Sequence, residues 1–201
     1  MTSSVILLAG PSGSGKSTLG ARLGLPVLNL DHFYREGGDP LLPRDAAGRV
    51  DWDHPDSWHA PDALAAVVAL ATSGTTEVPV YEYGADRRVG SSTLALGGAP
   101  AFVAEGLFAD RIAAGCAEAG VLGDALVLAP SAARTFARRF ARDVAESRKA
   151  VPYLLRRGLR LWREHGAVVR RCERAGMTRC TVEQAARRCA DRVRPLPEAA
   201  R

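Results

Sequence analysis

The sequence predicts an α/β fold with a mostly parallel sheet, and three observations carry that reading. Short apolar runs at 5–9, 27–30, 101–105 and 125–128 alternate with stretches of helical composition, the pattern of strands joined by crossover helices. The first run leads directly into a glycine-rich turn, Gly10-Pro11-Ser12-Gly13-Ser14-Gly15-Lys16-Ser17-Thr18. Two other runs close on an acid, Asp31 and Glu105, at the carboxyl ends of strands, where such sheets bind their ligands.

Val5-Ile6-Leu7-Leu8-Ala9 is short and apolar, as a buried parallel strand is. The turn after it fits G-x-x-x-x-G-K-[ST] at every fixed position. Gly10, Gly13 and Gly15, interleaved with Ser12 and Ser14, let successive backbone N–H groups turn inward around phosphate oxygens. The helix expected from Ser17 to Leu23 points its positive end at the same place. Lys16 would reach the β- and γ-phosphates, Ser17 would offer its hydroxyl to Mg²⁺, and Thr18 completes the motif. This is a nucleoside triphosphate site, and its fold is a P-loop NTPase three-layer sandwich. Gly24 and Pro26 stop the helix.

Val27-Leu28-Asn29-Leu30 is a second strand. Residues 35–60 are rich in Gly, Pro and Asp and form a long surface segment. Pro61 to Ala71 is a helix with proline at its start, and Glu77 to Tyr81 is an edge strand, since it contains Pro79. Ala101 to Glu105 and Ala125 to Leu128 are further strands, the latter stopped by Pro130. From Ser131 onward the composition changes to three Arg-rich helices at 131–149, about 152–175 and about 181–193. The whole chain, 1–201, reads as one domain, with a segment at about 131–150 closing over the site and a helical extension at about 151–201.

Composition narrows the function classes. No apolar run approaches the ~20 residues of a membrane span, and no cationic leader precedes the first strand, so a cytoplasmic protein without a signal peptide is expected. Cys116, Cys172, Cys180 and Cys189 form no C-x-x-C pair; they read as reduced thiols, the last three in helix, and support no zinc site. Charge is uneven: residues 1–130 hold 8 Lys/Arg against 15 Asp/Glu, whereas residues 131–201 hold 19 against 7. A basic end can serve nucleic acid or can supply cations to a polyphosphate. Only Lys16 and Lys149 among the 27 basic residues are lysines, so the Arg bias spares the one position where the loop chemistry wants lysine.

Glu105 stands where a P-loop fold puts the acid of the Mg²⁺ shell, the plain alternative being a surface acid at a strand end. Asp31, opposite the loop, could take the proton of an acceptor hydroxyl as its oxygen attacks the γ-phosphorus; it equally fits a helix N-cap before His32-Phe33-Tyr34.

Six blocks in order then resemble the uridine kinases of the phosphoribulokinase/uridine kinase group: Gly10 to Ser17; Asp31-His32-Phe33-Tyr34; Asp51 to Trp58; Pro79-Val80-Tyr81-Glu82-Tyr83; Glu105-Gly106; and Arg138-Arg139-x-x-Arg142-Asp143-x-x-Glu146. The resemblance implies ATP and Mg²⁺ as cofactors and a small-molecule acceptor, the 5′-hydroxyl of a pyrimidine nucleoside. It makes Asp31 the base, Asp53 and Arg139 the pair on the ribose hydroxyls, and Trp52, Tyr81 and Tyr83 the lining of the base pocket. Tyr34 belongs with these substrate positions. For Trp52, Tyr81 and Tyr83 ordinary core packing is the other reading. The helix at 131–149 resembles the family's lid. Its Arg138, Arg142 and Lys149, at i, i+4 and i+11, put three cations on one face, and Arg148 joins them; Arg142 is the one assigned to the transition state.

The chain departs from the family in places. Asp86 stands where the family has a base-reading His, and an acid prefers donors such as an exocyclic amine. Ala129-Pro130-Ser131 replaces an acidic run, the lid ends in Ser147-Arg148-Lys149, and 150–201 shows no closing strand near the adenine. A kinase for another hydroxyl compound, a sugar or vitamin, therefore stays beside the nucleoside kinase. A P-loop nucleotide- or nucleic-acid-binding module is the reading from another class. A GTPase switch is disfavoured, because Asn29 is the only Asn and no Asn-Lys-x-Asp exists. No membrane or nucleic-acid partner is expected, and homo-oligomerisation is left open.

Overall fold

A run of apolar residues with no polar alternation is buried on both faces, and β1 (Ser4–Ala9) is: every residue from Val5 to Ala9 is buried. The computed structural model describes residues 2–11, 13–129 and 166–193. β1 pairs in parallel with β5 (Ala101–Gly106) on one side and β6 (Leu122–Leu128) on the other. β2 (Val27–Asn29) adds beyond β5, and β7 (Thr178–Cys180) beyond β6. The result is a five-stranded parallel sheet in the order β2-β5-β1-β6-β7.

Alternate side chains leave opposite faces of a strand, so β1 feeds two cores. Val5 and Leu7 join Phe102, residues of α2 (Ala60–Ser73) and α3 (Ala113–Glu118), and Val169 and Cys172 of the helical residues 166–174, here α4. Ile6 and Leu8 join Val103, Leu126, Leu19 of α1 (Lys16–Leu23), and Ala185 and Cys189 of α5 (Val182–Val193). Helices therefore cover both faces, giving three layers. Full burial of a side chain such as Ile6 or Leu8 contributes about 1.5–3 kcal/mol.

A separate antiparallel ribbon consists of β3 (Thr75–Glu82) and β4 (Arg87–Ala95). β3 contains the expected strand with Pro79 opposite Ser91, in a two-stranded ribbon rather than at the edge of the main sheet. The long segment 35–60 is mostly irregular, as its composition predicts, but Leu42, Ser57 and Trp58 anchor it in the interior.

The structure corrects the sequence reading of the C-terminal part in one respect: a closing strand exists. β7 continues the sheet beyond β6, and it carries Cys180, which was expected in helix. Only its last residue is buried, so the strand leaves no periodic apolar trace. The four cysteines are unpaired, buried thiols. The expected helix at 131–149, the lid, and residues 152–165 of the helix expected at about 152–175 lie outside the described residues. No helix among the described residues is long and apolar enough to cross a membrane.

Candidate active site

The carboxyl ends of β1, β2 and β5 lie side by side, and the candidate site is built on what leaves them. After β1 the chain turns through Gly10 at φ 144°. A Cβ there would meet the Leu128 carbonyl oxygen at 2.7 Å and the Ser14 Oγ at 2.9 Å, so only glycine fits. Gly13 and Gly15 also take positive φ, and Gly15 caps α1. The Lys16 ammonium folds back to donate to the Gly10 carbonyl at 2.9 Å and is buried. Ser14 is wholly buried, and its hydroxyl has no hydrogen-bond partner among the described residues. Such an orphaned hydroxyl costs about 1–3 kcal/mol, and a phosphate cradle is the kind of place that retains one. The side-chain-free Gly10, the inward hydroxyl and the buried ammonium fit the phosphates of a nucleotide.

Glu105 lies on β5 between Leu8 of β1 and Asn29 of β2. The Ser17 hydroxyl donates to its Oε1 at 2.7 Å, so a hydroxyl and a carboxylate from segments 88 residues apart meet at the mouth of the loop. Two hard oxygens so placed fit Mg²⁺, which takes one or two protein ligands and completes its shell with water and phosphate.

Asp31 leaves the end of β2 on a 3₁₀ turn, Leu30–Phe33. The cap of that turn is Asn29, whose Oδ1 accepts from the Asp31 amide at 2.9 Å; Asp31 is not the cap. Its carboxylate is left for other work. Oδ1 accepts from the Leu107 amide at 3.2 Å, and its backbone carbonyl accepts from the Tyr83 hydroxyl at 3.2 Å. A Cβ at Gly106 would stand 2.8 Å from the Leu30 Cβ and 3.1 Å from the Asp31 Oδ1. The turn after β5 is thus moulded against Asp31.

The aromatic residues form one group. The Tyr34 ring meets Trp52 edge-on at 5.9 Å, Tyr81 at 6.1 Å and Phe108 at 6.1 Å, and Tyr81 meets Tyr83 at 5.3 Å. Burial, with the nearby carboxylates of Asp31 and Asp53 adding to it, pushes the Tyr34 phenol far above its ordinary value. Burial, and then Asp31, pushes Tyr83 up to about 12. Both phenols therefore stay neutral around neutral pH. Tyr81 is fixed at both ends: its amide donates to His32 Nδ1 at 3.2 Å and its hydroxyl to the Arg35 carbonyl at 2.9 Å. Asp86 is exposed in the turn between β3 and β4, at φ 50°, and its carbonyl accepts from the Gly37 amide at 2.7 Å.

The structure thus brings together Gly10, Gly13, Ser14, Gly15, Lys16, Ser17 and Glu105 around the loop, and Asp31, Tyr34, Trp52, Asp53, Tyr81 and Tyr83 on the neighbouring side. Thr18 lies on α1, exposed. Ser12, Arg138, Arg139, Arg142, Arg148 and Lys149 lie outside the described residues. Sequence reasoning missed Asn29 as the cap, Trp58, whose Nε1 donates to the Leu30 carbonyl at 2.7 Å, and Phe108. Trp58 stood inside the Asp51 to Trp58 block; Phe108 followed Glu105-Gly106 by two positions, the one signal it offered.

No family model matches the chain. The uridine kinase of Saccharomyces cerevisiae is 30% identical over 116 residues, 52% of this chain and 22% of that protein. The uridine kinase of Limosilactobacillus reuteri is 28% identical over 86 residues, 39% of this chain and 38% of that protein. The chain thus spans well under half the length of the curated relatives it matches. Among solved structures, one from Silicibacter sp., named for a fructose transport system kinase, superposes with a TM-score of 0.52 at 18% identity, over 96% of this chain and 87% of that one. At that identity the likeness is one of fold. In sequence the chain is similar to uridine kinases, and its fold is that of the P-loop kinases.

Proposed function

We propose that the chain is an ATP-dependent kinase that phosphorylates a hydroxyl of a small molecule, the 5′-hydroxyl of a pyrimidine nucleoside being the acceptor its residues fit best. The observation that carries this is the 2.7 Å contact of Ser17 with Glu105 at the mouth of the loop, with the Asp31 carboxylate seated on the same β5 turn. Ser17 and Glu105 would hold Mg²⁺, which when bound neutralises charge on the phosphate oxygens. Lys16 and the loop amides would bind the phosphates. Asp31 takes the proton from the acceptor hydroxyl as its oxygen bonds to the γ-phosphorus and the bond to the ADP oxygen breaks. Asp53, with Arg139, would bind a vicinal diol. Trp52, Tyr81, Tyr83 and Tyr34 offer rings to a flat base, a pairing suited to their quadrupoles. Arg138, Arg142, Arg148 and Lys149 would close over the phosphates as a lid in a single kinase domain.

One observation favours a second reading. Asp86 stands where a base-reading His is expected, and it is exposed at a hairpin turn, so a non-nucleoside hydroxyl compound such as a sugar or vitamin remains the alternative acceptor. The deciding experiment is Mg²⁺-dependent ADP release from ATP across uridine, cytidine, other nucleosides, simple sugars and pantothenate. Stimulation by uridine or cytidine is the expected result. Stimulation by a non-nucleoside alone moves the acceptor to the second reading. ATP binding with no stimulation by any acceptor overturns the kinase in favour of a nucleotide-binding module.

A further inference from the structure

One guanidinium ties α4 to the turn on which the candidate base rests. Arg171 donates from Nε to Asp110 Oδ2 at 2.9 Å and from Nη2 to Asp110 Oδ1 at 3.0 Å. The same Nη2 donates to the Leu107 carbonyl at 2.8 Å, and the guanidinium carbon lies 5.1 Å from the centre of the Phe108 ring. The Asp110 side chain is 2% exposed, so its charge needs this fork. A pair that served only to neutralise Asp110 would end there. This one also grips Leu107 and Phe108, and each of those leads into the site. The Leu107 amide donates to the Asp31 carboxylate at 3.2 Å, and the Phe108 ring supports Tyr34 at 6.1 Å. Gly106 beside them already leaves no slack, since even a methyl group would press on Asp31.

We propose that Arg171 is a positioning residue: it holds the 105–110 turn in the one conformation that aims the Asp31 carboxylate at the acceptor hydroxyl. The role given to Asp31 rests on the kinase reading; the clamp itself does not. Arginine is required because a lysine ammonium cannot reach both Asp110 oxygens and the Leu107 carbonyl in one planar fork. Nothing in the sequence singles out Arg171 among the arginines after residue 131.

The test uses the full chain and two readouts in Arg171→Met, Arg171→Lys and Asp110→Asn. The first is turnover with Mg²⁺, ATP and uridine, or whichever acceptor the panel identifies, with ATP affinity and melting followed in parallel. A misplacement of about 1 Å costs on the order of 10²-fold, so kcat should fall about ten- to a hundredfold in Arg171→Met. KM for ATP should stay put, and Arg171→Lys should recover part of the loss. The second readout is hydrogen exchange at the Leu107 amide, expected to quicken in all three variants while the α1 amides keep wild-type protection. Unchanged kcat and unchanged Leu107 exchange overturn the proposal. So does a loss of ATP affinity and melting temperature that parallels the loss of kcat, which is the mark of a merely structural pair. If Arg171→Met does not fold, Arg171→Lys carries both readouts. If the wild type phosphorylates no acceptor, the kinase reading fails by itself, and Leu107 exchange still decides the clamp.

Discussion

Replacing Gly106 with alanine loads the site at its tightest point. The residue has an ordinary φ, so the cost is steric rather than conformational. The added methyl would lie 2.8 Å from the Leu30 Cβ, 3.1 Å from the Asp31 Oδ1 and 3.6 Å from the Leu30 carbonyl carbon. Real Cβ contacts do not come that close to another Cβ, so the 3₁₀ turn must retreat. Overpacking of this kind costs about 1–3 kcal/mol. In a domain of this size that is a fall of roughly 2–12 °C in Tm, at about 2–4 °C per kcal/mol. The retreat also draws the Asp31 carboxylate off the Leu107 amide, so kcat with the identified acceptor should drop on the order of 10²-fold while ATP affinity holds. Calorimetry and steady-state kinetics read the two effects. Gly90→Ala is the control: it lies on β4, where an added methyl would meet nothing within 4 Å, and should stay within about 0.5 kcal/mol of wild type. A Gly106→Ala variant that melts and turns over like wild type would falsify the close fit between the β2 and β5 ends.

Asp31→Asn should lower turnover by about 10²–10⁴-fold and leave ATP binding intact; retained turnover removes Asp31 as the base. Ser17→Ala should raise the Mg²⁺ concentration needed for ATP binding, measured by titration calorimetry, with little change in melting, because Ser17 is itself exposed; an unchanged Mg²⁺ requirement rules Ser17 out as a ligand. Gly10→Ala would put a methyl 2.7 Å from the Leu128 carbonyl oxygen at φ 144° and should abolish binding of a fluorescent ATP analogue; wild-type affinity refutes the cradle. Stability should also fall in alkali. Burial raises the thiols of Cys116, Cys180 and Cys189 from 9.0 to about 11 and Cys172 to about 12. The unfolded chain thus loses these protons first, so stability is complete below pH 9 and is lost as pH rises toward 11. Each thiol contributes up to about 1.4 kcal/mol per pH unit, and a urea midpoint that is flat from pH 8 to 10.5 would contradict it.

The phosphate half of the site was legible because its chemistry is local. A turn that aims amides at an anion needs glycines at fixed spacing, and Gly10 to Ser17 states that requirement in consecutive letters. Asp31 and Glu105 were legible for a related reason, since each ends an apolar run. What escaped is what depends on partners distant in sequence. β4 is exposed along nearly its whole length and gives no alternation to read. β7 is three residues long with one buried. Asn29 is the last residue of its strand, within the expected run, but its second role as a cap is invisible until the amide of Asp31 is known to face its side chain. Arg171 looked like any other arginine in a basic helix, because its meaning lies in Leu107 and Asp110, more than sixty residues away.

Strand order divides the site into two mechanical halves. β1 lies between β5 and β6, and the loop leaving it at Gly10 rests on Leu128 of β6, whereas Asp31 leaves β2 and rests on the turn leaving β5. Glu105 is the joint, one strand position from Gly106 and bonded to Ser17 at the head of α1. A disturbance at Gly10 therefore stays on the β1–β6 side and falls on nucleotide binding. A disturbance at Gly106 or Arg171 falls first on the aim of Asp31, and it reaches the nucleotide only when it is large enough to drag Glu105 away from Ser17. Small changes in the 105–110 turn should accordingly lower kcat alone, and larger ones should add a Mg²⁺ defect. That order of onset belongs to a shared turn and is not expected of a general loosening of the fold, which would weaken both halves together.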